Sequence, residues 1–121
     1  MRSDPDIAAW IDRHAAFTPT KPALITDEVI VTYAQLAARI NQLAVYLSKE
    51  QGLPTGARVA WLGHNVPDLI AGLFACARAG LMFLPLNWRL SAEELRFIID
   101  DAGAGLIVVD ASCSERVDEL V

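Results

Sequence analysis

Apolar residues recur at two different spacings in the amino-terminal half of the chain. Pro5 stands ahead of an apolar stripe at helical spacing and is typical of the first position of a helix. Two short apolar runs then flank residues 27–28, which predicts a hairpin of two strands. Thr32 and Gln35 form a capping-box pattern ahead of a second apolar stripe. The predicted elements are a helix over residues 5–17, strands over 23–26 and 29–31, and a helix from 32 to about 52.

The carboxyl-terminal half alternates between short apolar runs and amphipathic stretches. In these runs apolar residues do not alternate with polar ones, as they would in a strand with one face exposed to solvent. We therefore expect strands that are covered on both faces. Asn65 and Gly80 bracket one helix, and the Ser91–Glu94 capping box starts another. The predicted elements are strands over residues 58–62, 81–84 and 106–109, helices capped at 65 and 91, and a last helix opened by Ser112 and Glu115.

This order of elements predicts an α/β fold, with a parallel sheet, helices on both faces and a short N-terminal hairpin. Three parallel strands make a small sheet with no visible means of closing its edges. We therefore expect an incomplete portion of a larger domain. Residues 1–18 would be a leading helix, and residues 110–121 a helix that looks truncated because no stop signal precedes its last residue.

The amino-acid composition limits the kinds of partner that this chain is expected to bind. The chain is 54% hydrophobic with a mean hydropathy of +0.34, high for 121 residues, so either the core is alanine-rich or something else covers apolar surface. The net charge is -5, and the ten Lys and Arg residues are scattered singly, which argues against a nucleic-acid partner.

Three features bear on location. The apolar stretch over residues 69–86 could be mistaken for a membrane span, but Arg78 at its middle favours a buried helix followed by a strand. The amino terminus carries acidic residues and no unbroken apolar run, so a signal peptide is not expected. Cys76 and Cys113 lie far apart without metal-ligand spacing, which predicts buried structural thiols in a reducing compartment. We expect a cytoplasmic protein.

Ligands of open parallel sheets bind beyond the carboxyl ends of the strands, here the loops 63–65, 85–90 and 110–112. His64 could be an acid or a base, but it has no second catalytic group in sequence reach. Asp110 could hydrogen-bond a ribose, but that role needs a glycine-rich turn after an earlier strand, and the earlier turns here have none. We therefore expect Asp110 to cap a helix. Residues 103–105 follow a helix and are interpreted as a turn. The residues alone therefore indicate no catalytic residue and no metal ligand.

The ordered positions nevertheless resemble a larger family. The pattern is similar to the N-terminal part of the adenylate-forming superfamily, which includes acyl-CoA synthetases, luciferases and peptide-synthetase adenylation domains. The similarity covers about residues 19–109, and residues 87–90, Asn-Trp-Arg-Leu, are most similar to the acyl-CoA synthetase branch. One departure is Gly56-Ala57, where the family usually has Gly-Asp. The matching positions are, in chain order, Val31-Thr32-Tyr33, Leu36, Asn41, Leu43-Ala44, Leu47, Gly56, Arg58-Val59-Ala60, Asn65, Ala79-Gly80, Pro85-Leu86-Asn87 and Glu94-Leu95.

The resemblance implies a two-step ligase that uses ATP, Mg²⁺ and coenzyme A. The family's phosphate loop, adenine pocket and catalytic lysine would all lie beyond residue 121, so we expect this chain to bind none of the three by itself and to be inactive alone. Its partner would be the remainder of the ligase, or another chain at the exposed sheet edge, and self-association could cover the same surface. The alternative is a free-standing, non-catalytic α/β binding or interaction module.

Within the resemblance, Arg89 would contact a phosphate of coenzyme A, while Asn87 and Trp88 shape the loop that carries it. The planar, permanently charged guanidinium suits phosphate oxygens. The competing interpretation is that Arg89 pairs with Glu93 at i+4 and that Trp88 packs against a neighbouring domain.

Overall fold

The computed structural model describes residues 6–120. Five helices and five strands lie in this part of the chain, with a π-helical turn after the second helix and a 3₁₀ turn before the fifth. The elements are α1 (Ala8–Phe17), β1 (Pro22–Ile25), β2 (Ile30–Thr32), α2 (Tyr33–Val45), the π turn (Tyr46–Glu50), β3 (Arg58–Leu62), α3 (Val66–Ala79), β4 (Met82–Leu86), α4 (Ala92–Ala102), β5 (Ala104–Val109), the 3₁₀ turn (Ala111–Arg116) and α5 (Val117–Leu120).

The three later strands form one parallel sheet in the order β4-β3-β5, and β1 pairs with β2 as a separate antiparallel hairpin. Side chains of β3 alternate between the two faces of the sheet. Val59 packs with α1, α2 and α3, whereas Ala60 and Leu62 pack with α4 and α5. These strand residues are at most 3% exposed. The predicted parallel sheet with helices on both faces is confirmed.

The first elements begin one or more residues away from their predicted bounds. Pro5, the predicted helix start, lies outside the described residues, and α1 begins at Ala8, where Asp6 Oδ1 accepts the Ala9 N–H (3.1 Å). The hairpin strands are shifted by one residue because Thr26 belongs to the turn. Its hydroxyl oxygen accepts the N–H of Glu28 (3.3 Å) and of Val29 (3.0 Å).

The predicted start of the loop at Pro85 is wrong, since β4 continues through this proline to Leu86. The Met82 N–H donates to the Ala57 carbonyl (2.9 Å), so alternate residues after Met82 also face β3. Pro85 therefore points its nitrogen to the open side of an edge strand, where no donor is needed. The sequence pattern does not show which side of a strand a residue faces.

Two predictions near the carboxyl end also need correction. Of residues 103–105, only Gly103 forms the turn, with a left-handed φ of 65°, and β5 already starts at Ala104. The predicted Ser112–Glu115 capping box is wrong. Asp110 is the capping residue of the 3₁₀ turn, and its Oδ1 accepts the Ser112 N–H (2.8 Å) as well as the Ser112 hydroxyl.

The apolar stretch 69–86 is α3 followed by β4, as predicted, and no helix within residues 6–120 has both the length and the apolar composition to cross a bilayer. Arg78, at its middle, lies at the end of α3 and donates hydrogen bonds to Asp6, Asp12 and Asn41. It thereby ties α1 and α2 to α3. The hydrogen bond to Asp12, followed by the one to Asp6, also raises the pKa of Arg78 above its ordinary value.

Both cysteines are buried free thiols, which confirms the sequence prediction. Burial raises the pKa of Cys76 to about 11, so its thiol stays neutral at physiological pH.

Candidate functional site

The loops that follow β3, β4 and β5 come together at one end of the sheet. The His64 N–H donates to the Ser112 hydroxyl (3.1 Å), and the His64 ring lies 4.9 Å from the indole of Trp88. The turn between β1 and β2 joins them and lines a cavity of about 400 Å³ with the start of α3 and with Ser112. We call residues 26–29, 63–67, 87–91 and 110–116 the carboxyl-end cluster.

The topology has a switch point between β3 and β5. The helix that follows β3 covers one face of the sheet, and the helical turn that follows β5 covers the other. Open α/β sheets bind ligands in the crevice at such a point. Here the Asp110 carboxylate lies across it, since Asp110 Oδ2 accepts the Asn65 N–H (3.1 Å) ahead of α3.

Asp110 therefore holds two loops together besides capping its own turn. The carboxylate lies close to the start of α3, where the partial positive charge of a helix end favours an anion. Gly63 makes room for it: a Cβ at this position would come within 3.0 Å of the carboxyl carbon and both oxygens of Asp110. The prediction that Asp110 caps a helical segment is confirmed.

The loop after β4 is held by hydrogen bonds from both of its sides. Asn87 Oδ1 accepts the Arg89 N–H (3.0 Å), and the Asn87 carbonyl accepts the Leu90 N–H (3.0 Å). From the opposite side, Arg116 Nη1 donates to the carbonyls of Trp88 (2.8 Å) and Leu90 (2.9 Å). The loop is thus an ordered turn that displays its two large side chains, Trp88 and Arg89.

Arg89 does not pair with Glu93, so this part of the competing interpretation is wrong: within residues 6–120 no carboxylate lies within 4.0 Å of its guanidinium. The guanidinium carbon instead lies 4.6 Å from the ring centroid of Trp88, on an exposed loop. A cation over an exposed indole gains only about 0.5–1 kcal/mol. Glu93 remains in the first turn of α4, where the helix dipole favours an acid. The charge of Arg89 is therefore available to an external anion.

Two parts of the cluster carried no sequence signal. Arg116 lies in a predicted helix, and no local pattern indicates that its side chain contacts the loop after β4. The residues that it contacts there precede it by 26 and 28 positions in the chain. The hairpin turn reaches the cluster because α1 and α2 pack beside α3. Within the described part of the chain, no three His, Cys, Asp or Glu side chains are grouped as metal ligands.

Arg116→Met is expected to loosen the loop that carries Arg89. The variant loses two hydrogen bonds to carbonyls, and one such bond from a charged donor is worth about 1.5 kcal/mol or more. Amide exchange of Leu90 should become about tenfold faster, measured by hydrogen–deuterium exchange. Arg96→Met is the matched control, because Arg96 also donates to a carbonyl, that of Glu119 (2.9 Å), but outside this loop. Equal effects of the two variants on Leu90 would contradict the assignment.

Comparison with known proteins finds relatives that match nearly the whole chain. The sequence profile of the AMP-binding enzyme family matches residues 11–121. The chain is 41% identical over 113 residues to an indoleacetate–CoA ligase of Aromatoleum aromaticum. This alignment covers 93% of the present chain and 22% of that ligase. It is 37% identical over 114 residues to a feruloyl-CoA synthase of Amycolatopsis, with 94% and 23% of the two chains covered.

Solved structures of related ligases have the same fold. A fatty acyl CoA synthetase of Mycobacterium tuberculosis superposes with a TM-score of 0.84 at 30% identity, over 93% of this chain and 23% of that one. The chain thus spans less than a quarter of the length of the relatives described here. The profile match and the shared fold show that this chain belongs to the AMP-binding enzyme family.

Proposed function

We propose that this chain is the amino-terminal part of an acyl-CoA synthetase. The complete enzyme would join a carboxylic acid to ATP, giving an acyl-adenylate and pyrophosphate, and the thiol of coenzyme A would then displace AMP to give the thioester. The observation that carries the proposal is the 41% identity to a CoA ligase over nearly the whole chain. The chain alone would be inactive, because it spans only 22% of the length of that ligase.

In the complete enzyme, the remainder of the protein would bind ATP and Mg²⁺, and this chain would take part in binding coenzyme A. Arg89 would hold a phosphate of coenzyme A. Three features support this role: its guanidinium has no carboxylate partner among residues 6–120, it lies on the indole of Trp88, and Arg116 holds the loop beneath it. Asn87 and Trp88 orient the loop and the guanidinium plane.

A chimera tests the proposal. This chain replaces the matching segment of the Aromatoleum indoleacetate–CoA ligase, and the chimera is assayed for thioester formation. Arg89→Ala is expected to raise KM for coenzyme A about tenfold, which corresponds to one charge-assisted hydrogen bond of about 1.4 kcal/mol. Exchange of pyrophosphate into ATP with indoleacetate should stay unchanged, because this step precedes coenzyme A.

Arg13→Ala is the control, since Arg13 is an exposed arginine on α1, outside the carboxyl-end cluster. An unchanged KM for coenzyme A in Arg89→Ala would remove the phosphate role from Arg89. A well-folded chimera that forms neither adenylate nor thioester would contradict the proposed function of the chain.

We further propose that the protein works in the cytoplasm. The support is the state of its cysteines, since Cys76 and Cys113 are both unpaired thiols, as expected in a reducing compartment.

A further inference from the structure

We propose that His64 is a positioning residue for the coenzyme A site: its imidazole ring holds the indole of Trp88, and the indole in turn holds the guanidinium of Arg89 in place for a phosphate. The inference rests on the proposed function, because it takes Arg89 as the group that meets coenzyme A. The His64 ring centroid lies 4.9 Å from that of Trp88, and the guanidinium carbon of Arg89 lies 4.6 Å from the centroid of the same indole.

The register of the sheet accounts for the contact between the two rings. Leu62 and Leu86 are partners at the ends of β3 and β4, and His64 and Trp88 each follow two residues later. Neighbouring strands lie about 4.8 Å apart, so side chains at matching positions just beyond two strand ends are close enough to meet. The two ring planes are inclined by 53°, which avoids the face-to-face sandwich that aromatic pairs disfavour.

The backbone around His64 is fixed, which makes its ring a rigid support. The His64 N–H donates to the Ser112 hydroxyl (3.1 Å), and the Asn65 N–H that follows donates to Asp110 Oδ2 (3.1 Å). Gly63, the residue before, packs closely against the same carboxylate. Asn65 also caps the first turn of α3. The loop after β3 is therefore held by the loop after β5 and by a helix at the same time.

The hydrogen bonds of the loop after β4 act on its backbone and not on its indole. Arg116 donates to the carbonyls of Trp88 and Leu90, and the Arg89 N–H donates to Asn87 Oδ1. Trp88 is 39% exposed, so an unsupported indole would be free to turn toward solvent. The guanidinium would then lose the ring on which it lies. The imidazole supplies the contact that keeps the indole in place.

The surroundings of His64 argue against a direct contact between its imidazole and the phosphate. The cavity of about 400 Å³ beside it is also lined by Asp27 and Glu28 of the hairpin turn. Two carboxylates repel a phosphate that approaches them. On the side of Arg89, by contrast, no carboxylate of residues 6–120 lies within 4.0 Å of the guanidinium. His64 therefore acts through the indole of Trp88.

His64→Ala in the chimera described above tests this role. Loss of the ring should raise KM for coenzyme A about fivefold and leave kcat unchanged, because the indole and the guanidinium are then less often in place. His64→Phe keeps an aromatic ring without the imidazole nitrogens, and it should return KM to near the wild-type value. A His64→Phe chimera as impaired as His64→Ala would overturn the proposal, because the nitrogens and not the ring would then be required.

The coupling between His64 and Arg89 is measured in a double variant. In a chimera that already carries Arg89→Ala, His64→Ala should add little to KM for coenzyme A, because the group that it positions is absent. Additive increases in the free energy calculated from KM would show that His64 acts independently of Arg89, which contradicts the positioning role.

His14→Ala is the matched control for the loss of a histidine ring. His14 also packs against aromatic rings, with centroids 4.8 Å from those of Trp10 and of Tyr33, but it lies on α1, outside the carboxyl-end cluster. This variant should leave KM for coenzyme A unchanged. Equal increases of KM in His14→Ala and His64→Ala would reduce the effect to a general loss of packing and would overturn the proposal.

Proton NMR of the isolated chain gives a readout that does not involve coenzyme A. Nuclear Overhauser effects between the Trp88 indole and the Arg89 side chain should be present in the wild type and in His64→Phe, and clearly weaker in His64→Ala. Effects of equal strength in all three proteins would show that His64 does not hold the indole.

The readouts separate this inference from the proposed function. Weakened Overhauser effects in His64→Ala, together with a chimera that forms no thioester, would support the contact of His64 with the indole and contradict the function. A thioester-forming chimera whose KM for coenzyme A responds to Arg89→Ala but not to His64→Ala would do the reverse.

Discussion

Gly63→Ala is expected to destabilise the chain by about 2–4 kcal/mol, because the new Cβ would occupy the space of the Asp110 carboxylate. Displacement of Asp110 removes its hydrogen bond to the Asn65 N–H, which joins the loop after β3 to the loop after β5, and its bond to the Ser112 N–H, which caps the 3₁₀ turn. Urea unfolding monitored by circular dichroism measures the loss. The fall should appear in the midpoint, with the slope unchanged.

Two comparisons isolate the cause of this loss. Gly105→Ala is the matched control: its Cβ would make ordinary contacts, the nearest being a Leu53 methyl at 3.6 Å, so it should cost much less. In the Asp110→Ala background the obstacle is gone, and Gly63→Ala should then add little. Additive costs of Gly63→Ala and Asp110→Ala would show that the collision is not with the carboxylate.

Arg78→Met should be the second severe variant, with a loss of about 3 kcal/mol in the free energy of unfolding. The guanidinium is 12% exposed and the Asp6 carboxylate 11%, so the methionine leaves a largely buried charge without its partner. Asn41 and Asp12 lose a donor at the same time. Because these contacts fasten α1, amide exchange in α1 should accelerate more than in β3.

Arg39→Met is the control for charge removal alone. Arg39 also pairs with an aspartate, Asp68, at 3.1 Å, but the two side chains are 45% and 38% exposed. Such pairs contribute between about 0 and 1 kcal/mol, so the control should be close to neutral. Equal losses for Arg78→Met and Arg39→Met would mean that Arg78 does not fasten α1.

Local signals were enough to predict the elements and the class of fold. Capping boxes at Thr32 and Ser91 start α2 and α4 as predicted, and Gly80 ends α3 in the left-handed conformation. These devices act within four residues, so the sequence around each contains the whole interaction. At Glu94 the hydrogen bonds from the Ser91 N–H and hydroxyl also lower the pKa of the carboxyl. The resemblance to the adenylate-forming family is confirmed by the profile match.

The predictions from sequence were wrong where one local pattern is compatible with two structures. Pro85 could end β4 or lie on its open side, and the choice depends on which residues of β4 face β3. Ser112 could cap a helix, but Asp110 lies two residues earlier and has the stronger acceptor.

For this chain the sequence by itself determined the order of helices and strands, their caps and the three loops expected at the carboxyl ends of the sheet, because each depends on neighbours along the backbone. The tertiary structure decided that Asp110 joins the loops after β3 and β5, that Arg116 holds the loop of Arg89, and that Arg78 ties three helices together. These contacts join residues between 26 and 72 positions apart. Only the packing of the sheet and its helices brings such residues within hydrogen-bond distance.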